Sequence, residues 1–384
     1  MDYNAKLQAL IENYAAARKE GFVRMKELKD GGGRVVGRFC TYTPIEVFTA
    51  AGLVCVGLCS TNDETIPEAE KVLPGNLCPL IKSSFGYAMT DKCPYMYYSD
   101  LVVGETTCDG KVKMYELLAQ FKNVHVMELP RKQDTAEAFA LWRAEVVRLK
   151  ERVEKDFNVK ITNENLREAI IRQNTERAVM KQLYELSTLC PPPITGLQQL
   201  KILFGAQFRF NWEERIAETR STIESITAGY NAGERTVSEK AKRILITGCP
   251  MGGVTEKVAK AVEDAGGVVV VYENCSGAKK YDRQCKVDGD PITNIAEYYL
   301  ALGCSVMTPN PNRFELLDRL CKQFKVDGVV EMCLQACHTY AVESYTVKKH
   351  LQAKNIPYLY LETDYGTADA GQLSTRVGAF VEML

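Results

Sequence analysis

The chain has 384 residues, which is enough for about two to three domains of ordinary size. Its 48 Lys and Arg residues balance 49 Asp and Glu residues, and the formal charge of -1 provides no basic field that would hold nucleic acid or an anionic membrane surface. Hydrophobic residues at 46% and charged residues at 25% are the proportions of a folded globular protein and exclude a disordered or fibrous chain.

The N-terminal segment, MDYNAKLQALIENYAAARKEG, predicts a polar amphipathic helix and no signal peptide. No stretch of the sequence approaches the roughly 18 uninterrupted apolar residues of a membrane span. These features predict a cytosolic protein without a membrane anchor. Because cytosolic thiols stay reduced, the 14 cysteines then indicate metal binding or thiol chemistry and not structural disulfides.

Residues 1–130 predict an N-terminal α/β lobe. Short apolar, β-branched runs alternate with helical stretches, which is typical of βα units around a parallel sheet that is buried on both faces. Six cysteines occur between Cys40 and Cys108. The predicted strands are 35–36, 53–58, 101–103 and 124–129.

Residues 131–240 predict a helical segment. Between residues 134 and 189, apolar side chains such as Trp142, Val146 and Leu149 recur every three or four positions, which indicates long amphipathic helices. Three consecutive prolines at 191–193 then interrupt the pattern. Cys190 is the one cysteine of this segment.

Residues 241–384 predict a second α/β lobe, with seven cysteines between Cys249 and Cys337. The predicted strands are 244–246, 268–272, 326–332 and 357–361. The predicted fold class is therefore α/β, with two small parallel-sheet lobes of Rossmann or flavodoxin-like type joined by a helical segment.

Six cysteines follow predicted strands, where the carboxyl ends of parallel strands form the ligand-binding crevice of an open α/β sheet. Two such crevices that face each other could enclose one cofactor. The cysteines that follow strands are Cys40, Cys59, Cys108, Cys249, Cys275 and Cys337.

The spacing of the cysteines favours an iron–sulfur cluster over zinc. A zinc site usually needs closely spaced pairs, and only Cys55/Cys59 and Cys333/Cys337 come near that spacing. Isolated cysteines from distant loops are typical ligands of a cluster. Polar or turn-rich surroundings favour ligation for Cys78, Cys108, Cys275, Cys304 and Cys337, whereas packing as small hydrophobes is the prediction for Cys55, Cys190, Cys285, Cys321 and Cys333.

The glycine-rich segment GCPMGGVTEK does not meet the requirements of a P-loop, because Val254 and Thr255 stand where Lys and Ser or Thr are needed and Lys257 comes too late. The sequence therefore predicts that this chain does not hydrolyse ATP. Two interpretations of this segment remain: a tight turn between a strand and a helix, and an anion-binding site at the start of the helix.

Three residues near predicted strand ends or loops are candidate proton donors: His338, Glu46 and Glu273. Each also has a structural interpretation. A histidine there can cap a helix or lie in the core, and glutamates near helix starts more often serve as caps.

The cysteine-bearing segments resemble the 2-hydroxyacyl-CoA dehydratase and benzoyl-CoA reductase superfamily, and within it the double-cubane cluster proteins. The resemblance covers nearly the whole chain and is weakest in the central helices. Segments that carry it include GRFCTYTPIEVFTAAG, NLCPLIKSSFG, DKCPYMYYSDLVVGETTCDGKVKMYE, YENCSGAK, CSVMTPNPNRFELL and VDGVVEMCLQACHTYAVESYTVKKH.

The resemblance implies a homodimeric, oxygen-sensitive oxidoreductase with an 8Fe-9S double-cubane cluster on six cysteines. It also implies an ATP-dependent iron–sulfur reductase as a separate electron donor, and reduction of a small unsaturated molecule. The alternatives are a 2-hydroxyacyl-CoA dehydratase subunit, a lyase with a single 4Fe-4S cluster, and a non-catalytic electron carrier. Matching the motifs of the superfamily assigns Cys78, Cys108 and Cys337 as ligands of one cubane. The second cubane needs three more ligands, and Cys40, Cys275 and Cys304 are the best remaining strand-end or loop cysteines for it.

Cys59, Cys93 and Cys249 are reserve candidates for ligation. One departure from related sequences stands out: they often read CSCM where this chain has Cys304-Ser305-Val306, so position 306 supplies no thiol.

Overall fold

The computed structural model describes residues 3–249, 252–275 and 277–384. These ranges contain two four-stranded parallel sheets surrounded by helices, which confirms the predicted α/β class with two parallel-sheet lobes. In the described part of the chain, no helix combines the length and the apolar character needed to cross a membrane.

The N-terminal sheet is formed by β1 (Val35–Arg38), β2 (Val54–Gly57), β3 (Leu101–Glu105) and β4 (Val124–Met127). Its strand order is β2-β1-β3-β4, and every neighbouring pair is parallel. The apolar side chains of β1 and β3 are completely buried because helices cover both faces of the sheet. The helices of this part are α1 (Tyr3–Asp30), α2 (Ile45–Ala50), α3 (Ile66–Ala69), α4 (Pro79–Thr90), α5 (Pro94–Tyr98) and α6 (Asp109–Leu118).

The central part is helical, and its helices begin at polar caps. Thr162 and Thr195 each form a capping box, in which the threonine side chain and the side chain three residues later satisfy free backbone N–H groups. Trp142, Val146 and Leu149 form a fully buried stripe. The helices are α7 (Ala136–Phe157), α8 (Asn163–Glu185), α9 (Gly196–Gly205) and α10 (Trp212–Asn231), with short 3-10 turns at Leu186–Thr188 and Ala206–Phe208.

The C-terminal sheet is formed by β5 (Lys242–Gly248), β6 (Gly267–Tyr272), β7 (Gly328–Leu334) and β8 (Tyr358–Thr363). Its order, β6-β5-β7-β8, repeats the arrangement of the first sheet, again with parallel pairs throughout. The helices are α11 (Gly253–Asp264), α12 (Ala278–Tyr281), α13 (Pro291–Leu300), α14 (Pro311–Gln323), α15 (His338–Gln352) and α16 (Ala370–Glu382).

Hydrogen bonds join the two lobes beside the carboxyl ends of their strands. Thr41 Oγ1, just after β1, donates to the backbone oxygen of Cys275, just after β6, at 3.1 Å. Tyr365 OH, after β8, donates to the backbone oxygen of Ser60, after β2, at 2.9 Å. The strand ends of both sheets therefore face one another across a shared space.

The division of the chain into segments 1–130, 131–240 and 241–384 stays a prediction. The long N-terminal helix α1 packs against α9 of the central part, so packing joins the first two segments.

Candidate metal centre

A cavity of about 1490 Å³ lies between the two lobes and is lined by residues that follow strands of both sheets. All 14 cysteines belong to the described residues, and each is a free thiol. All six cysteines predicted as ligands line this cavity, together with two of the three reserve candidates. The lining cysteines are Cys40, Cys59, Cys78, Cys93, Cys108, Cys275, Cys304 and Cys337.

Three of the lining cysteines stand immediately before helices. Cys78 precedes α4, Cys108 precedes α6 and Cys337 precedes α15. None of the three side chains caps its own helix by a hydrogen bond. The positive end of a helix favours a thiolate, so these positions suit sulfur atoms that bind a metal.

Four cysteine sulfurs gather where the lobes meet. The Sγ atoms of Cys249, Cys333 and Cys337 lie within 4.8 Å of one another. The thiol of Cys78, from the other lobe, also hydrogen-bonds to Cys337. Hydrogen bonds from Cys249, Cys333 and Cys78 lower the pKa of Cys337 well below that of an ordinary thiol, because they stabilise its thiolate.

The strand register explains why Cys249 and Cys333 are neighbours. Gly248 of β5 pairs with Met332 of β7. The residues that follow these two, Cys249 and Cys333, therefore lie side by side at the edge of the sheet. Both side chains are fully buried behind Cys337, and neither lines the cavity. The sequence predicts packing for Cys333 and leaves Cys249 as a reserve candidate. The only feature of the sequence that indicates this cluster is the four-residue spacing from Cys333 to Cys337.

A second group of lining thiols consists of Cys40, Cys275 and Cys304. Burial raises the pKa of Cys40 and of Cys275, and the nearby Cys304 raises both further. The thiols of Cys40 and Cys275 therefore stay protonated until a cation replaces the proton.

Cationic side chains, from the buried Lys111 to the exposed Lys19 and Lys132, line the same cavity as the thiols. Lys and Arg residues outnumber Asp and Glu residues by seven to three among the residues that line the cavity. Lys111 is 8% exposed and donates to the backbone oxygen of Phe39 at 3.2 Å. Burial lowers the pKa of Lys111, but Tyr115 and the thiols of Cys59 and Cys40 outweigh burial and raise it well above its ordinary value. The cavity is therefore suited to an anionic occupant.

The three predicted proton donors lie in different surroundings. His338 is the first residue of α15, is exposed and lines the cavity. Glu46 and Glu273 are both fully buried and do not line it. Glu46 pairs with Arg177 at 2.5 Å, and Glu273 lies 3.3 Å from Lys279. The role of all three as proton donors stays a prediction, and of the three only His338 lines the cavity.

The five cysteines assigned to packing do not line the cavity. Cys190 is exposed, Cys55 is partly buried, and the other three are buried. Pro250 and Met251 of the glycine-rich segment, and Ser276 after Cys275, lie outside the described residues.

Comparison with known proteins gives a match along almost the whole chain. The family model described as 2-hydroxyglutaryl-CoA dehydratase, D-component, matches residues 40–384. A candidate dehydratase subunit of Escherichia coli (strain K12), YjiM, is 51% identical over 379 residues, which are 98% of each chain.

More distant relatives are named as components of dehydratases and of a reductase. The beta subunit of (R)-phenyllactyl-CoA dehydratase of Clostridium sporogenes is 23% identical over 366 residues, 94% of each chain. One of the subunits of benzoyl-CoA reductase of Thauera aromatica is 24% identical over 288 residues, 69% of this chain and 64% of its own. These names support an enzymatic role and leave the choice between lyase and oxidoreductase open.

Proposed function

The chain belongs to the 2-hydroxyglutaryl-CoA dehydratase D-component family, and from this membership we propose that it is an iron–sulfur reductase component. It accepts low-potential electrons from a separate ATP-dependent iron–sulfur reductase and reduces a small unsaturated molecule. Its cofactor is an 8Fe-9S double-cubane cluster, and its functional unit is a homodimer.

The observation that carries this proposal is the lining of the cavity between the lobes. Six predicted ligands, three from each lobe, line this one space although they are spread over about 300 residues of sequence. Those six are Cys40, Cys78, Cys108, Cys275, Cys304 and Cys337.

The residues present fit such a group chemically. Thiolates are the usual protein ligands of iron–sulfur clusters, and the cavity offers eight thiols. A cluster on thiolates is anionic, and the excess of cations on the cavity wall, Lys111 among them, offsets that charge. When bound, the cluster would supply low-potential one-electron chemistry.

The remaining work of the site falls to side chains of this chain. His338, exposed on the cavity wall, is placed to hold a proton and deliver it to a substrate in the cavity. The apolar wall formed by side chains such as Val306, Met307 and Phe314 excludes water from part of the space. Val306 stands where related sequences often have a cysteine, so this part of the wall contributes no thiol.

A second candidate function is supported by the four-thiol group of Cys78, Cys249, Cys333 and Cys337. Four cysteine sulfurs are the usual ligand set of a single 4Fe-4S cluster. With one such cluster the chain would be a 2-hydroxyacyl-CoA dehydratase subunit, a lyase, as several relatives are named.

The metal content of protein purified without oxygen separates the two candidates. We expect about eight irons per chain for the double cubane and about four for the dehydratase. Cys333→Ala adds a second criterion, because it removes a thiol of the four-thiol group but no ligand of the double cubane. Retained iron in this variant supports the reductase, and lost iron supports the dehydratase.

The ligand assignment is tested by Cys304→Ala, with Cys321→Ala as its control. The two thiols are matched in burial, at 8% and 7% exposed, but only Cys304 lines the cavity. We expect Cys304→Ala to lose iron and Cys321→Ala to retain it. Colourless wild-type protein, or equal iron in both variants, contradicts the proposal. Reduction of the bound metal without any product in a turnover assay would instead identify an electron carrier.

A further inference from the structure

A buried hydrogen-bonded chain lies behind Cys304, and the proposed function gives it no role. Tyr340, on α15, lines the cavity and is 5% exposed. Its hydroxyl oxygen lies 3.7 Å from Cys304 Sγ and 3.0 Å from Lys279 Nζ. Tyr340 therefore connects a buried lysine to a cysteine of the cavity wall.

The direction of these hydrogen bonds follows from the donors available. Lys279 is 4% exposed and lies 3.3 Å from the carboxylate of Glu273, which stabilises its ammonium form. An ammonium group only donates, so the phenol oxygen of Tyr340 accepts from Lys279. The single phenol proton is then left for the sulfur of Cys304.

The ring of Tyr340 is fixed by a second buried cation. The guanidinium carbon of Arg313 lies 4.9 Å from the ring centroid, and Lys279 Nζ lies 5.5 Å from it. Arg313 is completely buried and is itself held by Glu331 at 2.8 Å and by Glu343. Two cations beside the ring strengthen the phenol as a hydrogen-bond donor and limit its movement.

We propose that Tyr340, supported by Lys279, is a positioning residue that donates a hydrogen bond to the Cys304 sulfur and thereby raises the reduction potential of the metal group bound there. The inference rests on the proposed function, in which Cys304 is a ligand. Reduction adds negative charge to the metal group and its sulfurs. A donor that contacts one of those sulfurs, with a cation behind the donor, stabilises the reduced state more than the oxidised one.

The test is the midpoint potential of holoprotein purified without oxygen, followed by electron paramagnetic resonance during a redox titration. Tyr340→Phe keeps the ring and removes only the hydroxyl. We expect its iron content to equal that of the wild type. We expect its reduction equilibrium to become about tenfold less favourable, which is about 59 mV toward more negative potential for a one-electron couple.

Tyr365→Phe is the matched control. The hydroxyl of Tyr365 also lies near a cysteine of the cavity, because it donates at 2.9 Å to the backbone oxygen of Ser60, the residue after Cys59, and not to a sulfur. We expect its potential to equal that of the wild type. If the loss of any tyrosine hydroxyl beside the cavity changed the potential for structural reasons, both variants would change alike.

The outcomes are distinguishable. If Tyr340→Phe retains its iron and its potential does not move, the inference is wrong and the proposed function stands. If the wild type holds no iron, the proposed function itself fails. If Tyr340→Phe loses its iron, Lys279→Met decides, because it keeps the phenol and removes the cation: a more negative potential supports the inference, and an unchanged one overturns it.

Discussion

The variant Glu46→Gln will distinguish a structural from a catalytic role for a carboxylate that the sequence predicts as a proton donor. One Glu46 oxygen lies 2.5 Å from Arg177 Nη2, and the other accepts from Tyr299 OH at 2.8 Å. The side chains of the ion pair are 0% and 5% exposed. Glu46 is on α2, Arg177 on α8 and Tyr299 on α13, so this contact joins both lobes to the central helices.

The expected loss follows from the burial of the partner. Removing one member of a buried pair leaves the other charge uncompensated, which typically costs about 3–5 kcal/mol of the free energy of unfolding. Glu213→Gln is the matched control, because Glu213 pairs with Arg172 on the same helix α8 at 3.2 Å, with 69% and 40% of the two side chains exposed. Exposed pairs contribute only about 0–1 kcal/mol, so the same chemical change should have little effect there.

The assay is urea unfolding of the anaerobically purified variants, with iron content and substrate turnover measured on the same samples. We expect Glu46→Gln to move the urea midpoint much further than Glu213→Gln, and its iron content to match the wild type when folded. Equal midpoints for the two variants would refute the reasoning. A loss of turnover with unchanged stability would show that Glu46 is the proton donor after all.

Three further predictions concern buried charges. Burial raises the pKa of Glu176, but Arg215, at 2.6 Å, together with Lys280 and Arg177, outweighs burial and lowers it. The contribution of Glu176 to stability is therefore complete above about pH 4.5 and is lost as the pH falls through the pKa that Glu176 has in the folded state. Glu176→Gln should therefore make the free energy of unfolding depend less on pH in the acid range. Burial lowers the pKa of Lys280 to about 7, so the folded state binds fewer protons than the unfolded state and stability rises between about pH 7 and 10. Lys280→Met should therefore raise the thermal midpoint at about pH 6 and have little effect near pH 10; an equal gain at both values would contradict this account. Arg313→Met removes a buried partner from three carboxylates and should cost about 3–5 kcal/mol, whereas Arg24→Met, at an exposed pair with Glu214, should cost about 0–1 kcal/mol in the same urea assay.

The fold and the set of cavity thiols could be predicted from the sequence because both depend on short-range patterns. Apolar runs of four to seven residues define buried parallel strands, and a cysteine a few residues after such a run must lie near the sheet edge. Cys40, Cys108 and Cys275 are of this kind. Cys337 is of this kind as well, since it lies three residues after β7.

The thiol cluster behind Cys337 could not be predicted, because it depends on strand register. Cys249 and Cys333 are 84 positions apart and become neighbours only because β5 lies beside β7 with Gly248 opposite Met332. In the sequence of its own strand, Cys333 stands between apolar residues, which is typical of a cysteine that packs in the core. The buried surroundings of Glu46 could not be predicted for a similar reason, since its partner Arg177 comes from an element distant in sequence. Glu273 has one near partner in sequence, Lys279, and one distant partner, Arg313.

The charges around the cavity couple metal binding to the contact between the two lobes. Cys40 follows a strand of the first sheet and Cys275 one of the second, and burial raises the pKa of both, so neither is ionised in the protein alone. Lys111 and Lys279 nevertheless place buried positive charge beside them. A metal group that converts these thiols to thiolates would supply the missing negative charge, and the gain requires both lobes in contact. In the proposed function, binding of the cluster therefore releases protons and stabilises the contact between the lobes.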